Sequence, residues 1–250
     1  MIIAGFIGVG KTRAAMEWDN CINIELSPLY QFQPKRPPGR RSEAAKGLLQ
    51  YIPNPLYPYN AILEILKEEA SGRWVIITAT KSILVPLAKE YQRKCVLVYP
   101  DASLRGEYGR RYRLRGNTDA FIRHMMDIWD SRLQFLNEFD YESIQLPLKS
   151  GSCYLTSLRL SLEKLWESAQ PPVSSEIIHE LERKVDIDSK SYYLTAPKTH
   201  YALPVDLRSD ELQEYLYRVA TEDMPRPILT RCLPDGVIKV ETLDEFMKIM

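Results

Sequence analysis

The chain has 250 residues, enough for one large α/β domain or a domain with an appendage. Lys+Arg and Asp+Glu both number 33, so no charge imbalance points to nucleic acid or to an anionic membrane. The four cysteines (Cys21, Cys95, Cys153, Cys232) and the three histidines are scattered, which argues against a disulfide framework or a zinc site. No run approaches the roughly 18 apolar residues of a membrane span. The N-terminal segment lacks the basic region of a signal peptide, so the cytoplasm is the expected compartment.

Residues 1–4 are an apolar run that reads as a buried strand. They lead into Gly5-Phe6-Ile7-Gly8-Val9-Gly10-Lys11-Thr12, a G-x-x-x-x-G-K-T pattern, and residues 13–18 are helix formers without a breaker. Glycines let a backbone wrap phosphate oxygens with its N–H groups, and a following helix adds the positive end of its dipole. Gly5, Gly8, Val9, Gly10, Lys11, Thr12 and Arg13 are therefore the candidate nucleotide-binding residues. Lys11 would bridge the β- and γ-phosphates of ATP or GTP, and the Thr12 hydroxyl would reach Mg²⁺. The competing expectation is a glycine turn that joins strand to helix and binds nothing.

Residues 21–26 read as a second strand, with Glu25 near the carboxyl edge of the sheet, where open α/β sheets bind ligands. Glu25 could position Mg²⁺ through water or accept a substrate proton; equally, it could be a solvated strand-end carboxylate. The stretch 27–58 holds seven of the 17 prolines, together with Lys35, Arg36, Arg40, Arg41 and Lys46. Segments this long are functional or mobile. Here 28–58 could close over a phosphorylated acceptor, its arginines clamping phosphate and Tyr30, Phe32, Tyr51, Tyr57 and Tyr59 offering stacking surface.

Apolar periodicity predicts a helix over 60–70, ended by Ser71-Gly72, and a buried strand over 74–79. Lys81 follows at the sheet's carboxyl edge, as a substrate contact or an exposed loop lysine. A helix over 82–93 places Pro86 near its first turn, and 94–100 is another strand. Five arginines then fall in eleven residues: Arg105, Arg110, Arg111, Arg113 and Arg115. They form a solvated face or a lid that stabilises a transferring phosphoryl group. Residues 119–139 read as one helix with Phe121, Ile122, Met125, Ile128, Trp129, Leu133 and Leu136 as its apolar stripe, and 141–146 as a last strand. Beyond 150, helices are expected at 156–169, 174–185 and 209–220, with a terminal helix opened by a Thr242/Glu245 capping box. Pro171-Pro172 is the linker candidate, and Asp186 with Asp188 is a weak metal pair.

Strands alternating with helices in this order predict a parallel, doubly wound α/β sheet. With the glycine loop after the first strand, residues 1–145 resemble a P-loop kinase of the nucleoside monophosphate kinase group. The loop is similar to the G-x-x-G-x-G-K-[ST] form used by guanylate kinase and its relatives. Glu25-x-Ser27 and the step Tyr99-Pro100-Asp101 also resemble small P-loop proteins common in phages and Gram-positive bacteria, which would act in the host cytoplasm if phage-encoded. The resemblance implies a three-layer P-loop NTPase core over 1–150, with 28–58 as the acceptor-side insertion and 101–118 as an arginine-rich lid. A mainly helical extension over 151–250 would follow.

The implied activity is ATP-dependent phosphoryl transfer to a small acceptor, a nucleoside monophosphate. Gly8, Gly10, Lys11 and Thr12 would hold the donor and Mg²⁺, and Arg110, Arg111, Arg113 and Arg115 would form the lid. One departure is that the strand at 74–79 does not end in the acid of a Walker B run, which leaves Glu25 as the nearest metal partner. The alternative is a nucleotide-binding regulatory or interaction protein with little turnover, whose residues 151–250 meet a protein partner. Neither a membrane nor a nucleic-acid partner is expected.

Overall fold

Three apolar runs, rich in β-branched residues, become the centre of a parallel sheet, because strands buried on both faces cannot alternate polar and apolar side chains. The computed structural model describes residues 1–32, 52–151, 153–167, 171, 173–197, 199–221, 224, 226–233 and 235–249. In chain order the elements are β1 (Ile2–Gly5), α1 (Lys11–Glu17), β2 (Cys21–Asn23), α2 (Ser27–Tyr30), β3 (Gln31–Phe32), β4 (Ile52–Pro53), α3 (Tyr59–Ala70), β5 (Trp74–Thr78), α4 (Lys81–Lys89), β6 (Cys95–Pro100), α5 (Arg105–Leu114), α6 (Asp119–Asp127), α7 (Trp129–Asn137) and β7 (Ile144–Leu148). They continue as α8 (Arg159–Glu167), α9 (Ser175–Ser189), β8 (Tyr192–Thr195), β9 (Tyr201–Val205), α10 (Asp210–Thr221), β10 (Ile228–Thr230), β11 (Ile238–Lys239) and α11 (Leu243–Ile249). The chain divides into two units, Met1–Leu26 with Ala61–Ile178, and Ser27–Asn60 with His179–Met250.

The first unit is built on five parallel strands in the order β2-β5-β1-β6-β7. Ile3 pairs with Ile76 on one side and Val96 on the other. β1 and β6 are buried along their whole length, as is the middle of β5. That burial is compatible with the three layers expected of the α/β class. Pro147 lies in β7, an edge strand, where a missing N–H is tolerated.

Two expected helices differ in detail. Pro86 is the sixth residue of α4 rather than part of its first turn. The single helix expected at 119–139 breaks at Ile128, whose backbone (φ −92°, ψ 4°) ends α6 and begins α7. The continuous apolar period hid this break. Trp129, the first residue past it, is fully buried against Phe6 and Tyr108.

The second unit holds the β3–β4 pair and a four-stranded sheet in the order β10-β8-β9-β11. β8 pairs antiparallel with both β9 and β10, and β11 pairs parallel with β9. Leu194, Ala202, Leu203, Tyr215 and Phe246 are among its core residues. The helices expected beyond 150 are present as α8, α9, α10 and α11, so the described part of 151–250 is mainly helical; the short-stranded sheet is what the expectation lacked. Two further differences concern boundaries: residues 151–178 belong with the parallel sheet, and 27–60 belong with the second sheet. Lys35, Arg36, Arg40, Arg41, Lys46 and Tyr51 of the expected acceptor-side insertion lie outside the described residues. Among the described residues, no helix is long and apolar enough to cross a membrane.

Candidate functional site

The chain passes from β1 to one side of the sheet and later crosses to β6 on the other, so the strand order reverses at β1. Such a reversal opens a crevice outside the carboxyl ends of the strands. The loop between Gly5 and Lys11 turns through that crevice.

Two glycines make the turn possible. Gly8 (φ 92°) and Gly10 (φ 93°) are left-handed, a region other residues enter only with strain. Space is equally restrictive. A Cβ on Gly8 would stand 3.1 Å from a Tyr112 ring carbon and 3.2 Å from Tyr108, and one on Gly10 would stand 3.3 Å from Tyr154. At Gly5 a Cβ would meet Val9 Cγ2 at 2.9 Å and the Lys11 stem at 3.1 Å. Successive N–H groups around left-handed residues form an anion-binding concavity. Among the described residues, no acceptor takes the N–H groups of Gly8, Gly10, Lys11, Thr12 or Arg13, and that of Val9 reaches the Phe6 carbonyl only at 3.4 Å.

Lys11 Nζ donates to the same Phe6 carbonyl at 3.2 Å. Among the described residues it has no ion-pair partner. Burial lowers its pKa from 10.5 to about 8; the carboxylate of Glu25 opposes this, and the charges of Arg115 and Arg132 reinforce it. Glu25 is exposed just past β2 and accepts from Asn23 Nδ2 at 2.7 Å. Thr12 is exposed in the first turn of α1, and Arg13, also exposed, pairs with Glu17 at 2.5 Å. Val9 is fully buried, so its side chain packs and only its backbone faces the loop.

The arginines separate into different roles. Arg105 pairs with Asp130 at 3.4 Å and Arg110 with Glu107 at 2.5 Å, both on the surface. Arg113 and Arg115 are exposed at the end of α5. Arg111 differs from the expected lid position, because only 6% of it is exposed. It donates to the Gly8 carbonyl of the glycine loop, and its guanidinium carbon stands over the rings of Tyr108 (4.6 Å) and Tyr154 (4.1 Å). Lys81 is exposed at the start of α4.

Sequence reasoning passed over Arg132, on α7. It is half-buried, its pKa is lowered chiefly by burial, and its charge is felt by both Lys11 and Tyr112. Its spacing carried a signal. Trp129, Arg132, Leu133 and Leu136 follow i, i+3, i+4, i+7, so Arg132 occupies a position of the core stripe. Arginine is rarely placed there unless paired or used.

Among the described residues, no group of three or more His, Cys, Asp and Glu could hold a metal. Asp101, after β6, is committed to the N–H (3.0 Å) and hydroxyl (2.6 Å) of Ser103. Asp186 pairs with Lys190 at 2.8 Å and Asp188 with Arg231 at 3.2 Å, so this pair, at best a weak metal candidate in the sequence, is held by cations. Magnesium takes one or two protein oxygens and completes its shell with water and phosphate. Thr12 and Glu25, both exposed, carry oxygens of the kind such a shell uses. No protein-family model and no curated protein matches the chain.

Proposed function

We propose that the protein binds a nucleoside triphosphate, ATP or GTP, with Mg²⁺ in the glycine loop and transfers its terminal phosphoryl group to a small phosphorylated acceptor of the nucleoside monophosphate class, in the cytoplasm. The observation that carries this is Lys11, a half-buried ammonium hydrogen-bonded, among the described residues, only to a carbonyl, beside loop N–H groups of Gly8, Gly10, Lys11, Thr12 and Arg13 that have no acceptor among those residues. Phosphoryl transfer needs little covalent chemistry from a protein; positioning and charge stabilisation do the work. The N–H groups of Gly8 to Arg13 and the Lys11 ammonium would hold the β- and γ-phosphates. Thr12 and Glu25 would hold Mg²⁺, which offsets phosphate charge when bound. Arg115 and Arg132 would steady the charge of the moving group.

The test is consumption of MgATP and MgGTP with and without each monophosphate. Turnover that depends on one acceptor, and is lost in Lys11→Ala, is expected; unchanged turnover in Lys11→Ala would overturn the assignment.

A second possibility is a nucleotide-binding regulatory protein with little turnover, its second unit meeting a protein partner. It is favoured by β5 leading into Thr78-Ala79-Thr80 without an acid, and by the commitment of Asp101 to Ser103. Triphosphate binding with no acceptor dependence would select it.

A further inference from the structure

Three consecutive carbonyls of the glycine loop are fastened by hydrogen bonds. The Tyr112 hydroxyl donates to Ile7 O at 2.9 Å, Arg111 Nη1 to Gly8 O at 3.4 Å, and the Leu155 N–H to Val9 O at 2.8 Å. In a trans peptide the carbonyl and the N–H that follows it point in opposite directions. Fastening these carbonyls therefore turns the N–H groups that follow them the other way, leaving those of Gly8 and Gly10 without an acceptor among the described residues and that of Val9 on the Phe6 carbonyl at 3.4 Å. The positive φ of Gly8 and Gly10 permits that arrangement, and the three donors select it.

Arg111 joins the two braces. It belongs to α5, like Tyr112, and its Nη2 also donates to the Gly151 carbonyl, in the segment that carries Leu155. The guanidinium carbon stands over two rings, Tyr108 of its own helix (4.6 Å) and Tyr154 of that segment (4.1 Å). Tyr154 also abuts Gly10, and Glu107 stands 3.5 Å from Arg111 Nε. The guanidinium charge is thus answered within the protein. What it contributes is a planar fork that can donate in two directions while stacked, which an ammonium cannot do.

We propose that Arg111, backed by Tyr112, is the positioning residue that presets the loop's N–H groups for a polyphosphate. This rests on the phosphate-binding assignment made above. Lysine at 111 would keep the charge and lose the fork.

The test uses the full chain, with Arg111→Lys, Tyr112→Phe and, as a control for general destabilisation, Arg93→Lys in the buried pair at the other edge of the sheet. Three quantities are measured: affinity for magnesium tripolyphosphate by calorimetry, the melting temperature, and NMR order parameters of the Gly8, Val9 and Gly10 amides without ligand. Arg111→Lys is expected to weaken binding about tenfold or more. Tyr112→Phe is expected to weaken it about two- to tenfold, the worth of one hydrogen bond. Loop order should fall in both. Arg93→Lys should lower the melting temperature and leave loop order and affinity unchanged.

Unchanged affinity and loop order in Arg111→Lys would overturn the proposal, as would a loosened loop that binds equally well. If Arg111→Lys does not fold, Tyr112→Phe decides by the same criteria. Should the wild-type chain bind no tripolyphosphate, the nucleotide assignment falls and the preset site falls with it; the order parameters still decide whether Arg111 fixes the loop.

Discussion

Two cations stand at opposite edges of the parallel sheet, Arg93 buried and Lys11 half-buried, and the fold treats them differently. Arg93, just before β6 at the amino edge, is 8% exposed, lies 2.8 Å from a Glu69 carboxylate oxygen and donates to the Pro171 carbonyl at 2.9 Å. Lys11, just after β1 at the carboxyl edge, has the Phe6 carbonyl. Burying a charge costs several kcal/mol unless a partner of opposite sign is buried with it. At Arg93 that partner is part of the fold, and the pair is structural. At Lys11 the nearest hydrogen-bond partner is a carbonyl and the Glu25 carboxylate acts only at longer range, as the proposed anion site would require.

Two substitutions test the difference: one removes the acid beside Arg93, the other removes Lys11 itself. Glu69→Ala leaves Arg93 buried with the Pro171 carbonyl but no counter-charge, takes the same carboxylate from the Met1 ammonium (3.6 Å), and should cost about 3–5 kcal/mol in urea unfolding. Tripolyphosphate affinity should be unchanged while the chain stays folded. A small cost would mean that water reaches Arg93 and that the two edges do not differ.

Lys11→Met should act in the opposite sense. Binding of tripolyphosphate should fall about 100-fold or more, as when a preset charge is taken from a phosphate site. The free protein should become more stable. A pKa lowered from 10.5 to about 8 corresponds to about 3 kcal/mol held against the ammonium at pH 7, from which about 1 is subtracted for the lost bond to Phe6. A lower melting temperature in Lys11→Met would show that Lys11 is a structural cation like Arg93.

The pH dependence sharpens the same point. Between about pH 8 and 10.5 the unfolded chain binds the Lys11 proton more tightly than the folded one, so this group makes stability rise with pH across that window. Anion binding favours the ammonium, so the part of the affinity lost in Lys11→Met should be constant below pH 8 and decline as pH rises through it, with proton uptake by Lys11 on binding. Calorimetry in buffers of different ionisation enthalpy measures that uptake, and Lys11→Met should lack it. The smallest effect is expected at Arg113, exposed on α5, where alanine should change stability by less than about 0.5 kcal/mol. Arg132→Ala should weaken tripolyphosphate binding more than Arg113→Ala does in the same titration.

Several elements were legible because local chemistry and tertiary placement agreed. The runs at 1–4, 74–79 and 94–100 could be little else than buried strands, and α3 followed from apolar residues at 61, 62, 65 and 66. The second sheet was not legible. β8 to β11 are two to five residues long, mix tyrosine, threonine and lysine with apolar residues, and are fixed by pairing rather than by pattern. At the site, Gly8, Gly10, Lys11 and Thr12 could be read from spacing alone. The division of labour among the arginines could not, because residues 110 to 115 look alike in sequence while burial separates Arg111 from the rest.

By itself the sequence determined the parallel α/β core and the glycine loop, since a strand, two glycines able to take positive φ and a lysine are local properties of the chain. Only the tertiary structure decided which cations are answered and which are not. Arg93 meets Glu69 across 24 residues, Arg111 reaches Gly8 across 103, and Lys11 meets a carbonyl five residues away. The worth of a buried charge depends on what the fold brings within about 4 Å of it, and that distance is not written in spacing.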